Sequence, residues 1–197
     1  MDVQLAGLGS MSKHTGGAIV LIGPMAAGKS WLGRGLSTTH GYTFVDADEY
    51  IVARHGEIPT IFAEHGEAYF RDLEVASIEA ILSDPEHAGS VVSLGGGAPM
   101  SARVRELISD HTVIYLRVDA ETVRPRIVGN STRPLLQPDP VSRWNQMFEQ
   151  RRSTYEALAD VVVDASGPRD VAELVGEIHD AIQHSTQNSG SAAAEAG

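Results

Sequence analysis

Residues 18–31, AIVLIGPMAAGKSW, decide the fold that the sequence predicts. The segment opens with a short apolar run rich in β-branched residues, which is typical of a strand buried on both faces. Residues 23–30 then match Gly-x-x-x-x-Gly-Lys-Ser, and a helix is predicted to follow. A strand, a glycine-framed loop and a helix in this order form a cradle for phosphate, in which Lys29 reaches the β- and γ-phosphates and Ser30 offers a hydroxyl to Mg²⁺. The sequence therefore predicts a nucleoside triphosphate site rather than a chance match in a glycine-rich loop.

The composition is that of an ordinary globular protein. The chain has 197 residues, of which 42% are hydrophobic and 21% are charged, and its formal net charge is -11. This acidic balance argues against nucleic acid or an anionic membrane as the main partner. Because cysteine is absent, disulfides and thiolate metal sites are excluded. No apolar stretch reaches the ~20 residues of a membrane helix, so we expect a cytoplasmic protein. We also expect a monomer.

Further strands and helices are predicted to alternate along the chain. The predicted strands after the first are residues 42–45, 91–94, 112–116 and 161–163. This alternation predicts an α/β fold with a parallel sheet covered on both faces. The composition divides the chain into a flexible leader, one domain and a disordered tail, at residues 1–17, 18–183 and 184–197.

Three polar or glycine-rich segments each follow a predicted strand. They are residues 23–30, 46–48 and 95–97. Ligands of parallel α/β sheets collect at the carboxyl ends of the strands. We therefore expect these three segments to converge on one site.

Asp46 and Asp48 allow two interpretations. If the chain is extended there, both side chains point the same way, and one carboxylate could hold Mg²⁺ while the other orients or deprotonates a hydroxyl. Alternatively, the two residues form the N-terminal cap of a helix that begins near Glu49. The spacing alone leaves both open.

Several other residues are ambiguous when taken one at a time. The three glycines at 95–97 could form a flexible turn or let a ligand approach the backbone. Arg71, Arg133 and Arg151 could each be solvated surface residues. Residues 129–140 hold a glycine and three prolines and are predicted to form a mobile loop.

Taken together, the motifs resemble those of one family. The succession GPMAAGKS, DAD, IFAEHGEAYFR, SLGGG, STRPLL and RRSTYEALAD is similar in order and spacing to the shikimate kinase family, across residues 18–182. The resemblance implies a three-layer α/β/α P-loop NTPase fold of the nucleoside-monophosphate-kinase type, with a five-stranded parallel sheet and a mobile lid at about residues 129–140. It also implies ATP and Mg²⁺ as cofactors, and transfer of the γ-phosphate to the 3-hydroxyl of shikimate.

The resemblance also implies a role for individual residues. Those that would hold the substrate are Asp48, Arg71, Gly95, Gly96, Gly97 and Arg151. Those that would contact the nucleotide are Gly23, Ala26, Ala27, Gly28, Lys29, Ser30, Trp31, Arg126, Arg133, Pro168 and Arg169. Mg²⁺ would bind Ser30 and Asp46, and the catalytic residues would be Lys29, Asp48 and Arg133.

Two departures from the family pattern lie in the phosphate loop. Ala26 occupies a position where the family usually has glycine, and Trp31 replaces a small or hydroxyl residue. Two alternatives to a shikimate kinase therefore stay open. One is a kinase for another small polyol or sugar acid, such as gluconate, on the same fold. The other is a regulatory protein that binds ATP without turnover, which Ala26 would suit.

Overall fold

The computed structural model describes residues 17–128 and 139–194. Within these ranges five strands form one parallel sheet in the order β2-β3-β1-β4-β5. Their bounds are Ile19–Ile22 (β1), Phe44–Asp46 (β2), Val91–Ser93 (β3), Thr112–Arg117 (β4) and Val161–Asp164 (β5). The five-stranded parallel sheet is confirmed. The predicted leader falls mostly outside the described residues, and most of the predicted lid does so as well.

The strands are connected by α-helices and two short 3₁₀ turns. The helices are Lys29–His40 (α1), Ala47–His55 (α2), Ile58–Ser83 (α3), Ala102–Leu107 (α4), Ala120–Ile127 (α5), Pro140–Leu158 (α6) and Val171–Ala194 (α7). The 3₁₀ turns are Pro85–His87 and Ala98–Met100. None of the described helices combines the length and the apolar character that crossing a membrane requires.

Strand β1 lies at the centre of the sheet. Leu21 pairs with Ser93 of β3 on one side and with Ile114 of β4 on the other. Since every described strand pair is parallel, the carboxyl ends of the strands lie along the same edge. The loop that follows β1 is therefore flanked by the loops that follow β3 and β4.

Apolar side chains cover both faces of the sheet. Ile19 and Leu21 pack on one face with residues of α1, α5 and α7, such as Leu36. Val20 and Ile22 point to the other face and join residues of α3, α4 and α6. Each fully buried aliphatic side chain stabilises the fold by roughly 1.5–3 kcal/mol relative to exposure. The prediction of a sheet covered on both faces is confirmed.

Two helices differ from their predictions. The apolar spacing from Pro59 to Leu82 predicts one helix, but the helix is interrupted at Gly66, whose φ of 82° and ψ of 173° are not helical. Glycine adopts a positive φ without a Cβ clash, so the kink needs this residue. For the last helix the sequence predicts an end near Ile182, but the helix continues to Ala194. The division into leader, domain and tail stays a prediction.

Candidate active site

The loop between β1 and α1 has the backbone of a phosphate cradle. A Cβ at Gly23, where φ is 140°, would lie 2.6 Å from the carbonyl oxygen of Leu116. Gly28 has a φ of 99° and caps α1. Ala26 adopts a φ of 64°, although it has a Cβ. The left-handed conformation costs a non-glycine residue roughly 1–2 kcal/mol. Ala26 thus adopts a left-handed backbone at the cost of local strain.

Lys29 is held inside this loop. Its Nζ donates hydrogen bonds to the carbonyl oxygens of Gly23 at 2.9 Å and Pro24 at 3.0 Å, and the residue is only 8% exposed. A buried ammonium needs such partners, because desolvation without them is costly. The two carbonyls fix the positive charge within the cradle, where a bound phosphate would meet it.

The cradle forms one wall of a cavity of about 670 Å³ at the carboxyl edge of the sheet. The cavity is lined by residues of the phosphate loop, of α2 and of the start of α3. The loop after β3 that holds Gly95, Gly96 and Gly97 (the glycine loop) and Arg126 of α5 complete the lining. Its polar lining includes Lys29, Ser30, Asp48, Glu57, Ser93 and Arg126. The predicted convergence is therefore confirmed for the phosphate loop, for Asp48 and for Gly95 and Gly96. A cavity of this size is in the usual range for small-molecule sites.

Asp46 is the N-terminal cap of α2. Its Oδ1 accepts hydrogen bonds from the backbone N–H groups of Asp48 at 3.0 Å and Glu49 at 3.3 Å. The extended arrangement considered for the two aspartates is wrong, because the chain enters the helix at Ala47, directly after β2. The capping interpretation holds for Asp46. Its proposed role towards Mg²⁺ stays a prediction.

Asp48 lies in the first turn of α2 and faces the cavity. Burial raises the pKa of its carboxyl group, and the nearby Asp46 raises it further, whereas Lys29 and Arg71 act in the opposite direction. A carboxylate with a raised pKa is a better proton acceptor than an ordinary surface aspartate. Asp48 therefore lines the cavity with a raised pKa, and its role towards a hydroxyl stays a prediction.

Arg71 is paired with two glutamates of its own helix. Its Nη1 donates to Oε2 of Glu74 at 2.7 Å, and its Nη2 donates to Oε1 of Glu67 at 3.3 Å. Glu74 is 2% exposed, and burial raises its pKa while Arg71 opposes that shift. Sequence reasoning missed Glu74. The available signal was its position three residues after Arg71, which places both side chains on one helix face.

Each of the three glycines after β3 makes room for a different neighbour. A Cβ at Gly95 would lie 2.6 Å from Oε1 of Glu74, and one at Gly97 would lie 2.6 Å from Nη1 of Arg71. A Cβ at Gly96 would lie 3.0 Å from the backbone nitrogen of Met25. These neighbours belong to the protein itself, so the approach of a ligand to this backbone stays a prediction. The three glycines are needed for space, because none of them has a positive φ.

Helix α6 brings Arg151 to the same side of the site. Arg151 lines the same small cavity as Tyr155, and its charge acts on both Tyr155 and Glu74. The phenol of Tyr155 is buried and donates to the carbonyl oxygen of Gly96, and burial raises its pKa to about 12. Arg152 is exposed instead and pairs with Glu156 at 2.8 Å. Arg151, which the resemblance assigns to the substrate, therefore has different surroundings from its neighbour Arg152.

On the nucleotide side, Arg126 donates from Nη1 to the carbonyl oxygen of Ala26 at 2.9 Å. Trp31 is 62% exposed and lines the cavity, so it is not a core residue. Arg169 lies instead beside β5 and α7, where it donates to the carbonyl oxygen of Asp164 at 2.9 Å. The predicted nucleotide contacts of Pro168 and Arg169 stay predictions. Arg133 lies outside the described residues.

Comparisons with known proteins agree with this geometry. A family model described as shikimate kinase matches residues 25–183. The shikimate kinase of Streptomyces coelicolor is 40% identical over 166 residues, which cover 84% of this chain and 95% of that protein. That of Mycobacterium avium is 42% identical over 149 residues, covering 75% and 83%.

Solved structures show the same likeness. The shikimate kinase of Acinetobacter baumannii, in complex with shikimate, superposes with a TM-score of 0.80 at 30% identity, covering 87% of this chain and 95% of that one. A gluconokinase of Sinorhizobium meliloti has a TM-score of 0.61 at 21% identity, with 87% and 94% covered. At that identity the second likeness concerns the fold alone.

Proposed function

The chain belongs to the shikimate kinase family, and we propose that its cavity transfers the γ-phosphoryl group of ATP to the 3-hydroxyl of shikimate through the residues described above. The chain is a kinase with ATP as its co-substrate. The observation that supports the assignment of residues most strongly is the shared cavity, which is lined by Lys29 of the phosphate loop and by Asp48. A phosphoryl donor and an acceptor hydroxyl could therefore meet within it.

The proposed division of labour follows the charges. Lys29 and Arg133 neutralise charge on the transferring phosphoryl group, and Asp48 orients or deprotonates the attacking hydroxyl. Arg71 and Arg151 bind the carboxylate of the acid, since a guanidinium can donate two parallel hydrogen bonds to a carboxylate. The Glu74 carboxylate between them holds the fork of Arg71 in place.

We propose that Mg²⁺ binds at Ser30 and Asp46. A hydroxyl and a carboxylate supply the oxygen ligands that Mg²⁺ prefers, and the remaining ligands are commonly waters and phosphate oxygens. Two backbone N–H groups orient the Asp46 carboxylate through its Oδ1. When bound, Mg²⁺ would offset negative charge on the β- and γ-phosphates.

We further propose that the enzyme acts as a cytoplasmic monomer. Sedimentation of the full chain would check its assembly state.

The acceptor is tested by a coupled ADP-release assay with shikimate, gluconate and nucleoside monophosphates. We expect ADP release that depends on shikimate and is far slower with the other acceptors. Equal rates with gluconate would indicate the alternative in which the chain is a kinase for another small polyol or sugar acid. Release that no added acceptor stimulates would indicate a regulatory protein that binds ATP without turnover.

Loss of the Arg151 side chain or of the planar guanidinium of Arg71 is expected to weaken acid binding. Arg151→Ala and Arg71→Lys should each raise the shikimate KM, by an amount that corresponds to about 2–5 kcal/mol where the charge pair is well desolvated. ATP affinity measured without shikimate should change little. Steady-state kinetics in both substrates provide the measurement.

Arg152→Ala is the matched control, because Arg152 neighbours Arg151 but is exposed and paired with Glu156. It should leave both KM values unchanged. An equal loss of ATP affinity in Arg151→Ala would place that side chain on the nucleotide side and contradict the carboxylate assignment.

For Arg133 the expectation rests on the family resemblance. Arg133→Ala should lower kcat by about 10³-fold, as the removal of a transition-state arginine does in other phosphoryl transfers. Shikimate affinity should decrease less.

Hydrogen exchange across residues 129–140 with and without an ATP analogue checks the predicted lid. We expect protection of its backbone amides to rise with the analogue. Unchanged protection together with unchanged kcat would contradict the lid.

A further inference from the structure

Helix α6 forms hydrogen bonds with two different loops of the cavity. Near its start, Nε1 of Trp144 donates to the carbonyl oxygen of Met25 in the phosphate loop, at 2.8 Å. Near its end, the phenol of Tyr155 donates to the carbonyl oxygen of Gly96 in the glycine loop. Both aromatic residues are buried, so a carbonyl that lost its donor there would be left without a hydrogen-bond partner in a desolvated place. One rigid helix therefore contacts both halves of the site.

The two loops also contact each other. A Cβ at Gly96 would lie 3.0 Å from the backbone nitrogen of Met25, so the two backbones are packed closely. Met25 is thus constrained on both sides, by Gly96 at its nitrogen and by Trp144 at its carbonyl oxygen. The phosphate loop, α6 and the glycine loop form a closed ring of contacts.

Arg151 lies on α6 between these two hydrogen bonds. It lies one helical turn before Tyr155, the residue that holds Gly96, and it lines the same small cavity as Tyr155 and Met25. Tyr155 also stacks on Tyr115 of β4 with centroids 5.4 Å apart, so ring packing seats this end of the helix on the sheet. The position of Arg151 is therefore tied to that of the helix, and the helix is tied to the phosphate loop.

We infer that Trp144 and Tyr155 are positioning residues that couple nucleotide binding to acid binding through α6. A bound phosphate orders the loop at Met25 and so fixes the carbonyl oxygen to which Trp144 donates. Because Trp144 belongs to α6, this contact fixes the helix, and the helix carries the guanidinium of Arg151. The same contacts act in reverse when the acid binds, because coupling between two binding sites is reciprocal. This inference rests on the proposed function, since it assumes that Arg151 binds the acid.

The test measures the dissociation constant of shikimate by calorimetry, with and without saturating ADP and Mg²⁺, so that no turnover occurs. The ratio of the two constants is the coupling factor, and for the wild-type chain we expect at least the fivefold at the lower end of typical allosteric couplings. Trp144→Phe and Tyr155→Phe remove one hydrogen-bond donor each and retain a ring. In both variants the coupling factor should fall towards one, while ADP affinity without shikimate changes much less.

Two matched controls should keep the wild-type coupling factor. Tyr115→Phe removes another buried phenol, whose hydroxyl has no hydrogen-bond partner among the described residues. Arg152→Ala changes an exposed residue of the same helix. A double variant, Trp144→Phe with Tyr155→Phe, should lose no more coupling than the more severe single variant, because both bonds act through one helix. Thermal unfolding identifies any variant that does not fold, and the other single variant then decides.

The inference is overturned by a wild-type coupling factor of one. It is equally overturned if the variants weaken each ligand alone but leave the factor unchanged, since that is the result of a merely structural role. If shikimate does not bind the wild-type chain at all, the proposed function fails instead. The two failures are thereby distinguished.

Discussion

Lys29→Ala is expected to lower the kcat of phosphoryl transfer by about 10³-fold. The ammonium is buried in the phosphate loop and fixed by two carbonyl oxygens, so its charge needs little rearrangement to meet the developing negative charge. Removing one preorganised donor from such a site costs about 10²–10³ in kcat, and a donor with a full charge should lie at the upper end of that range. Steady-state ADP release with saturating shikimate and Mg-ATP measures the effect.

Two controls separate this loss from a folding defect. Thermal unfolding should show a folded Lys29→Ala chain, because Lys29 contacts loop carbonyls rather than the apolar core. Arg124→Ala removes an exposed cation paired with Glu121 and should retain full activity. A folded Lys29→Ala variant with near-wild-type turnover would show that the phosphate-cradle assignment is wrong.

Asp48→Asn is expected to lower kcat by about 10²–10⁴-fold, the usual contribution of a positioned general base. The amide has nearly the shape of the carboxylate but cannot accept the proton of the hydroxyl. Burial and Asp46 raise the pKa of Asp48, so the protonated, inactive form is populated at higher pH than for an ordinary aspartate. The wild-type rate should therefore fall as the pH decreases through that raised pKa, and the Asn variant should lose this acidic limb.

The matched control is Glu49→Gln, which changes the next residue, an exposed carboxylate paired with Arg34. Its pH profile should keep the acidic limb, moved slightly to lower pH, because Glu49 is the smallest of the causes that raise the pKa of Asp48. If Asp48→Asn retained the same acidic limb at a lower rate, the titrating group would be another carboxylate. The buried Glu74 would be the first to examine, because its pKa is raised as well.

The phosphate loop was predictable because its geometry is a local property of consecutive residues. Glycine spacing, a preceding buried strand and a following helix determine where Lys29 lies. Asp46 was not predictable in the same way, since an aspartate after a strand suits both an extended chain and a helix cap. The helix that starts at Ala47 decides between the two, and its docking on α3 depends on tertiary packing.

Glu74 and Trp144 show the other limit of sequence reasoning. Glu74 lies in a long helix where most glutamates face solvent. The sequence distinguishes it from them only by its spacing from Arg71, with which it pairs in the structure, where it is buried. From the sequence alone Trp144 is most simply interpreted as a packing residue, and the structure buries it. Its hydrogen bond to Met25, however, spans 119 positions along the chain. No local pattern contains such a contact, because it arises only when α6 packs against the loop after β1.

The confinement of Lys29 has a consequence for chemical labelling. Lysine occurs only twice in the whole sequence, at Lys13 and Lys29, and the other cationic side chains are arginines. Amine-reactive dyes and coupling surfaces should therefore modify the chain before residue 17 and leave the outer surface of residues 17–128 and 139–194 without attached groups. A nucleotide that bears an acyl phosphate, in contrast, would bring its reactive carbon to Lys29. Labelled peptide recovered by mass spectrometry would then report the fraction of molecules whose phosphate loop was occupied.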